Sequence, residues 1–294
     1  MLETKRLVIG QMIVCNGCCC GATQKDRPEV PVEWLKDEWR KRGLLKRFQL
    51  TVSGCVGPCD VPNVVVVNSE AGFRHDWTKF AESCELDRRA IEAIGAVLQG
   101  SSRPLIVSSG VGVAEGRAAT EDDPPLSSPS LPRVSEVTAI ALLERGVHAS
   151  VMRLPQVHDT EKQGLITPLI AIARAKGVSA YIGDGHNRWP AAHVTDVARL
   201  YRLALEKFTA GARYHAVAEE GVPLKDIATV IGRGLNVPVV SITQEQAQEH
   251  FGFLAFFAGR DAHISSAQTR AKLGWNPTGP DLLTDLGNMR YTQA

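Results

Sequence analysis

The sequence predicts an α/β protein in two unlike parts, and three observations carry that prediction. Helical and strand-like patterns alternate along most of the chain, the signature of strands joined by crossover helices. The seven cysteines are confined: six precede residue 60 and none follows Cys84. At 294 residues, the chain suits one large domain or two ordinary ones. A hydrophobic content of 44%, a charged content of 22% and a net charge of +1 describe a globular protein. Such a balance creates no global field that would gather nucleic acid or an anionic membrane surface. No apolar run approaches the roughly 20 residues of a membrane span. The opening "MLETKRLVIGQMIVC" sets Lys5 and Arg6 before a short apolar run, as a signal peptide would. Gly10 and Gln11 interrupt that run, and cysteines stand where a small-residue cleavage site belongs. The expectation is an N-terminal strand and a cytoplasmic location, where thiols stay reduced and a structural disulfide is disfavoured.

The first part, 1–72, reads in order as strand, cysteine loop, helix, strand, cysteine loop, strand. "RLVIGQMIV" is a buried strand. "VPVEWLKDEWRKRGL" places Val32, Leu35 and Trp39 at helical spacing, with Gly43 as a stop. "RFQLTVS" alternates Phe48, Leu50 and Val52, "GCVGPCD" is a tight loop, and "NVVVVNSEAG" is a β-branched run ending in turn residues. The two cysteine loops can then meet at one end of a small sheet.

Their spacing is C-x4-C from Cys15 to Cys20 and C-x3-C from Cys55 to Cys59. Four thiolates suit a [2Fe–2S] cluster, two per iron. They also suit a closed tetrahedral zinc clip, and Cys15 with Cys18 makes the C-x2-C of zinc sites and redox dithiols. Gly17, Gly21, Gly54 and Gly57 would let backbone N–H groups approach a negatively charged cluster. The text "CNGCCCG…PEVP…GCVGPCDVPNVVVV" resembles the thioredoxin-fold [2Fe–2S] ferredoxins over nearly all of 7–68. That resemblance implies a thioredoxin-like ferredoxin domain with Cys15, Cys20, Cys55 and Cys59 as metal ligands and Cys18 as the alternate. It implies single-electron transfer with a redox partner protein.

The second part, 73–294, opens with "HDWTKFAESCELDRRAIEAIGAVLQGSSRP", read as one helix closed by Gly100 and Pro104. "PLIVSSG" is a short buried strand, "VGVAEGRAATEDDPPLSSPSLPR" a loop, "VSEVTAIALLERG" a helix and "HASVMRLP" a strand. Helices and short strands alternate thereafter. "RPLIVSSG", "HASVMRLPQVHD", "YIGDGHNRWPAAHVTDVARLYRLALE" and "ARYHAVAEEGVPLKDIATVIGRGLNVPV" resemble the later half of the atypical extended short-chain dehydrogenase/reductases, the NAD-dependent epimerase/dehydratase-like group. The resemblance implies a truncated Rossmann-type domain and makes Ser109, at the end of the fifth strand, a candidate catalytic residue or substrate contact. It puts His186, Arg188, Trp189 and His193 in a loop and helix start facing the substrate cleft, where structural roles compete with functional ones. Asp196 reads as an anchor of the following helix. "HFGFLAFFAG" reads as core packing or as the wall of an apolar pocket.

Two signatures are missing. After a strand, the only glycine cluster is "SSGVGVAEGR", with Gly110 and Gly112 in G-x-G but Glu115 where the third glycine is due. None of Tyr181, Tyr201, Tyr214 and Tyr291 has a lysine four residues on, so the Tyr-x-x-x-Lys pair of the family is absent. The expectation is [2Fe–2S] electron transfer with a catalytically silent dehydrogenase-like region. The alternatives are an NAD(P)-dependent epimerase or reductase, or a non-functional fusion. The two incomplete resemblances meet near Gly72 with no linker, which implies a head-to-tail fusion. The "PLIVSS" strand would lack its usual neighbour. The sequence offers three remedies: "NVVVVN" beside it, a helix from Trp77 to Gln99 across the seam, or a homo-oligomer through the open edge.

Overall fold

The computed structural model describes residues 10–15, 32–41, 48–53, 65–69, 80–125 and 132–291. In the first part, Gly10–Cys15 (β1), Val32–Lys41 (α1), Phe48–Ser53 (β2) and Val65–Ser69 (β3) follow the expected order. Strand β1 lies between the other two. It runs parallel to β2, from Gly10↔Phe48 to Cys15↔Ser53, and antiparallel to β3, from Gly10↔Ser69. The "NVVVVN" run therefore pairs with β1 and does not flank "PLIVSS". On α1 the acidic Glu33 sits in the first turn and Arg40 and Lys41 in the last, complementing the helix dipole.

Phe80–Leu98 (α2) is the helix expected across the seam; its expected start at Trp77 lies outside the described residues. Ile91 and Leu98 of α2 pack against Val107, Ala139, Leu142 and Val151, so its buried stripe goes to the sheet of the second part. Gly95 permits the close approach, because a Cβ there would lie 2.5 Å from Leu142 Cδ2. After the turn at Gly100 (φ 77°) come Leu105–Gly110 (β4), Ser135–Ala141 (α3) and Ala149–Leu154 (β5). A 3-10 turn, Leu142–Arg145, extends α3 and ends at Gly146.

The chain then builds Gln156–His158 (β6), Ile166–Lys176 (α4), Ser179–Ile182 (β7), Arg188–His193 (β8), Val194–Glu206 (α5) and Arg213–His215 (β9). Glu219–Pro223 (β10), Leu224–Leu235 (α6), Val239–Ile242 (β11), Gln244–Phe251 (α7) and Ala255–Ala258 (α8) follow. Ala267–Leu273 (α9) and Leu282–Asn288 (α10) complete the described helices.

Two layers of helix enclose the parallel sheet β4-β5-β9. One face meets α2 and α3. The other meets α5 and α9 through Met152, Leu200, Tyr214, Leu273 and Trp275. The remaining strands form the sheet β10-β8-β6 and the pair β11-β7. They surround a second core that includes Ile166, Trp189, Leu224, Ile227, Phe251 and Leu282. The apolar strip of 250–259 is mostly core: Phe251 and Leu254 are buried, while Phe253 and Phe256 remain exposed.

One reading is corrected. Arg188–His193 is a central strand, not a loop and helix start. Pro190 concealed it, since proline lacks the N–H that a ladder needs. The structure accommodates Pro190 at an irregularity of the β10 register, between Glu219↔Ala191 and Val222↔Trp189.

Candidate functional site

In open α/β sheets, ligands bind outside the carboxyl ends of the strands. Here that end is formed by Ser108, Ser109 and Gly110 of β4, whose register partners on β5 are Met152, Arg153 and Leu154. Strand alternation turns the two serines to opposite faces. Ser109 is buried at 5% exposure, on the same side as Val107. Ser108 is exposed, and its Oγ lies 2.6 Å from the Tyr201 hydroxyl on α5. Burial pushes Tyr201 up to about 12, which makes its phenol a poor proton carrier near neutral pH.

On the α2 and α3 side of this strand end lies Arg133. Its guanidinium stands beside Gly110, with Cζ 3.8 Å from where a Cβ would sit, and over the Phe80 ring at 5.9 Å. Burial pulls Arg133 below the ordinary arginine value, with the Cys84 and Asp87 charges opposing. Asp87 is occupied elsewhere: Ser135 Oγ donates to its Oδ2 at 2.5 Å. Cys84 is a free, buried thiol raised by burial.

At the end of β5 the sequence hid a polar core. Arg153, fully buried, donates from Nε to Glu136 Oε2 at 2.8 Å and from Nη2 to Glu136 Oε1 at 2.7 Å. Arg213 Nε donates to the same Oε1 at 2.7 Å. Glu136 consequently lies below the usual carboxylate value: burial raises it, but the two arginines outweigh burial. His215 Nδ1 lies 2.7 Å from the Ser265 carbonyl, so that nitrogen carries the proton. Its Nε2, 3.1 Å from Arg153 Nη1, then accepts, and desolvation lowers its proton affinity. Glu121 Oε1 accepts from both the N–H and the hydroxyl of Thr269. The available signal was an arginine inside an apolar strand, "VMRLP".

A second polar group lies against the β10-β8-β6 sheet. His158 Nδ1 is 2.7 Å from Asp285 Oδ2, and its Nε2 is 3.7 Å from Glu219 Oε2, an ionic approach rather than a hydrogen bond. His193 lies edge-on to His158, and its side chain caps α5 by accepting from the Thr195 N–H. Asp196 anchors as expected: buried, it accepts from the N–H groups of Thr278 and Gly279 and pairs with Arg199. The other cleft candidates are structural. Arg188 pairs with Asp261 at 2.6 Å, Trp189 Nε1 donates to the Phe257 carbonyl, and His186 is exposed beside Asp184.

Cofactor cradles can be tested against the strands. A dinucleotide turn needs a helix N-terminus directly after a strand. After β4 the chain runs irregularly through Gly112, Glu115 and Gly116 and next enters a helix only at Ser135. After β1 the first described helix starts at Val32, and 16–31 lie outside the described residues. The described turn after β4 therefore does not form such a cradle. Among them, no group of three or more His, Cys, Asp or Glu side chains forms a metal site. Cys15 ends β1, while Cys18, Cys20, Cys55 and Cys59 lie outside the described residues. No described helix is long and apolar enough to cross a membrane.

This architecture is a Rossmann-like α/β fold, and solved structures share it. The dTDP-glucose 4,6-dehydratase DesIV of Streptomyces venezuelae, with NAD and TYD bound, superposes at a TM-score of 0.57 with 13% identity, over 87% of this chain and 82% of that one. The human epimerase family protein SDR39U1, with NADPH, does so at 0.56 with 17% identity, over 88% and 95%. No family model matches. Two yeast proteins are far more similar in sequence. Uncharacterized protein C2A9.02 of Schizosaccharomyces pombe is 49% identical over 223 residues, 74% of this chain and 75% of that protein. Uncharacterized protein YLL056C of Saccharomyces cerevisiae is 43% identical over 248 residues, 83% and 81% respectively. The chain belongs to the family of these two proteins.

Proposed function

We propose that the second part is the substrate-binding side of an NAD(P)-dependent epimerase- or reductase-type protein. The observation that carries this reading is Ser109, buried at the carboxyl end of β4. The ligand would be a small polyhydroxylated or carbonyl compound, with the Ser109 hydroxyl donating to its oxygen. The fold neighbours crystallised with NAD and NADPH support the class. NAD(P) itself would supply the hydride; the turn after β4 does not form its cradle, so no hydride step is assigned to this chain. Calorimetric titration with UDP-glucose, NADH and NADPH tests the reading. Sugar-nucleotide binding that weakens at least tenfold in Ser109→Ala is expected. No binding by wild type would overturn it, whereas micromolar NADH or NADPH binding would reveal a complete enzyme.

A second reading is favoured by one register. Cys15 and Ser53 are paired at the same end of the parallel strands β1 and β2, and Cys18, Cys20, Cys55 and Cys59 follow them in the sequence. That arrangement suits four thiolates from Cys15, Cys20, Cys55 and Cys59 around a [2Fe–2S] cluster, with Cys18 as alternate. The cluster would supply one-electron chemistry to a redox partner. Anaerobic purification should yield a brown protein whose visible bands bleach on reduction. A colourless protein with stoichiometric zinc would end this reading.

A further inference from the structure

We infer that Arg133 anchors a small-oxyanion subsite at the carboxyl end of β4, taking the carboxylate or phosphate group of a small ligand. Arginine presents five N–H donors in a planar fork and stays protonated in proteins. Burying that fork without acceptors is unfavourable, so an arginine held there is normally matched to a carboxylate or phosphate. Among the described residues Arg133 has no hydrogen-bond acceptor and no ion pair within 4 Å; the Phe80 ring lies beneath it, and Cys84 and Asp87 act on it only at longer range. Asp87 Oδ2 accepts its hydrogen bond from Ser135. The segment just before it, "LSSPSL" at 126–131, brings no carboxylate.

The side chain is nevertheless reachable, since Arg133 is only partly buried. The guanidinium carbon lies 5.9 Å from the Phe80 ring centroid, and the Gly110 backbone lies beside it. A cation–π contact of this kind uses none of the N–H donors, which stay available to a ligand. Arg133 thus lies at the strand end that also carries Ser109, and the Ser109→Ala variant reports whether one ligand meets both. The identity of the ligand's remainder rests on the substrate-side reading above; the oxyanion preference does not.

The test compares D-glucuronate, D-glucose and inorganic phosphate as calorimetric probes of the full chain, using wild type, Arg133→Gln, Arg133→Lys and Ser109→Ala. Circular dichroism first confirms that each variant is folded. D-Glucuronate or phosphate should bind wild type at least tenfold more tightly than Arg133→Gln. Arg133→Lys should fall between them, because lysine keeps the charge and loses the fork. D-Glucose should not distinguish the arginine variants. Phosphate displacing D-glucuronate from wild type would assign both to one subsite without recourse to a variant. Phosphate binding that needs Arg133 without any sugar binding would sink the substrate-side reading and leave the anion subsite standing. Equal affinity of wild type and Arg133→Gln for both anions, or no anion binding at all, would overturn the inference.

Discussion

Arg153 and Glu136 form a two-pronged ion pair in which neither side chain is more than 2% exposed. Removing one partner from such a pair leaves a buried charge uncompensated, at a cost of roughly 3–5 kcal/mol. Glu136→Ala should therefore lower stability by about that amount in urea denaturation. Replacing both residues with apolar side chains of similar volume should recover most of the loss. The carboxyl of Glu136 is held below its unfolded value, so its contribution is present above the unfolded value, about 4.3, and is lost as pH falls through the folded one. A Glu136→Ala loss that stays unchanged down to pH 3 would refute this assignment.

His158 behaves in the opposite sense. Burial disfavours its charge, but Glu219 and Asp285 outweigh burial and raise its proton affinity. A raised folded value gives stability that is full below the unfolded value, about 6.5, and lost as pH rises through the folded one. His250 and His215 are shifted down by burial and contribute with the reverse slope, so the informative quantity is a difference. The stability gap between wild type and His158→Gln should shrink from pH 6 to pH 9.

Asp196 ties α5 to the turn at Thr278 and Gly279. Asp196→Ala orphans two backbone N–H groups and releases Arg199, for an expected loss of about 2–3 kcal/mol. Amide exchange should accelerate locally at residues 276–282. Unchanged protection there would show that the turn holds itself.

Tyr201 should not ionise in the folded protein below pH 11, because burial pushes it up to about 12. Ultraviolet titration of wild type against Tyr201→Phe isolates that one phenol. Losing its hydrogen bond to Ser108 should cost about 1 kcal/mol, with the neutral-pH binding profile unmoved.

Most strands and helices could be read from the sequence because their apolar residues follow simple periods. "RFQLTVS" and "HASVMRLP" became β2 and β5, and "VSEVTAIALLERG" became α3 with its 3-10 extension. Strand β8 escaped because Pro190 and two alanines carry little strand signal. Partnership was harder than type: the β-branched run of β3 could pair with any edge, and it took β1. The place of Ser109 near the end of β4 was legible from the sequence. Arg133 was not, because a charged residue after a proline-rich loop reads as solvated. Its significance depends on Phe80 and Gly110, which lie far from it in sequence.

The pairing of β5 with β9 has a consequence for how the molecule comes into being. Arg153 and His215 meet across 62 positions, and Glu121 waits for Thr269 across 148. Long-range parallel pairings pay their loop-closure entropy before any contact repays it. In a chain growing from its N-terminus, Arg153 and Glu136 can meet early, the third strand of the main sheet arrives only with Arg213–His215, and the Glu121 bond waits for Thr269.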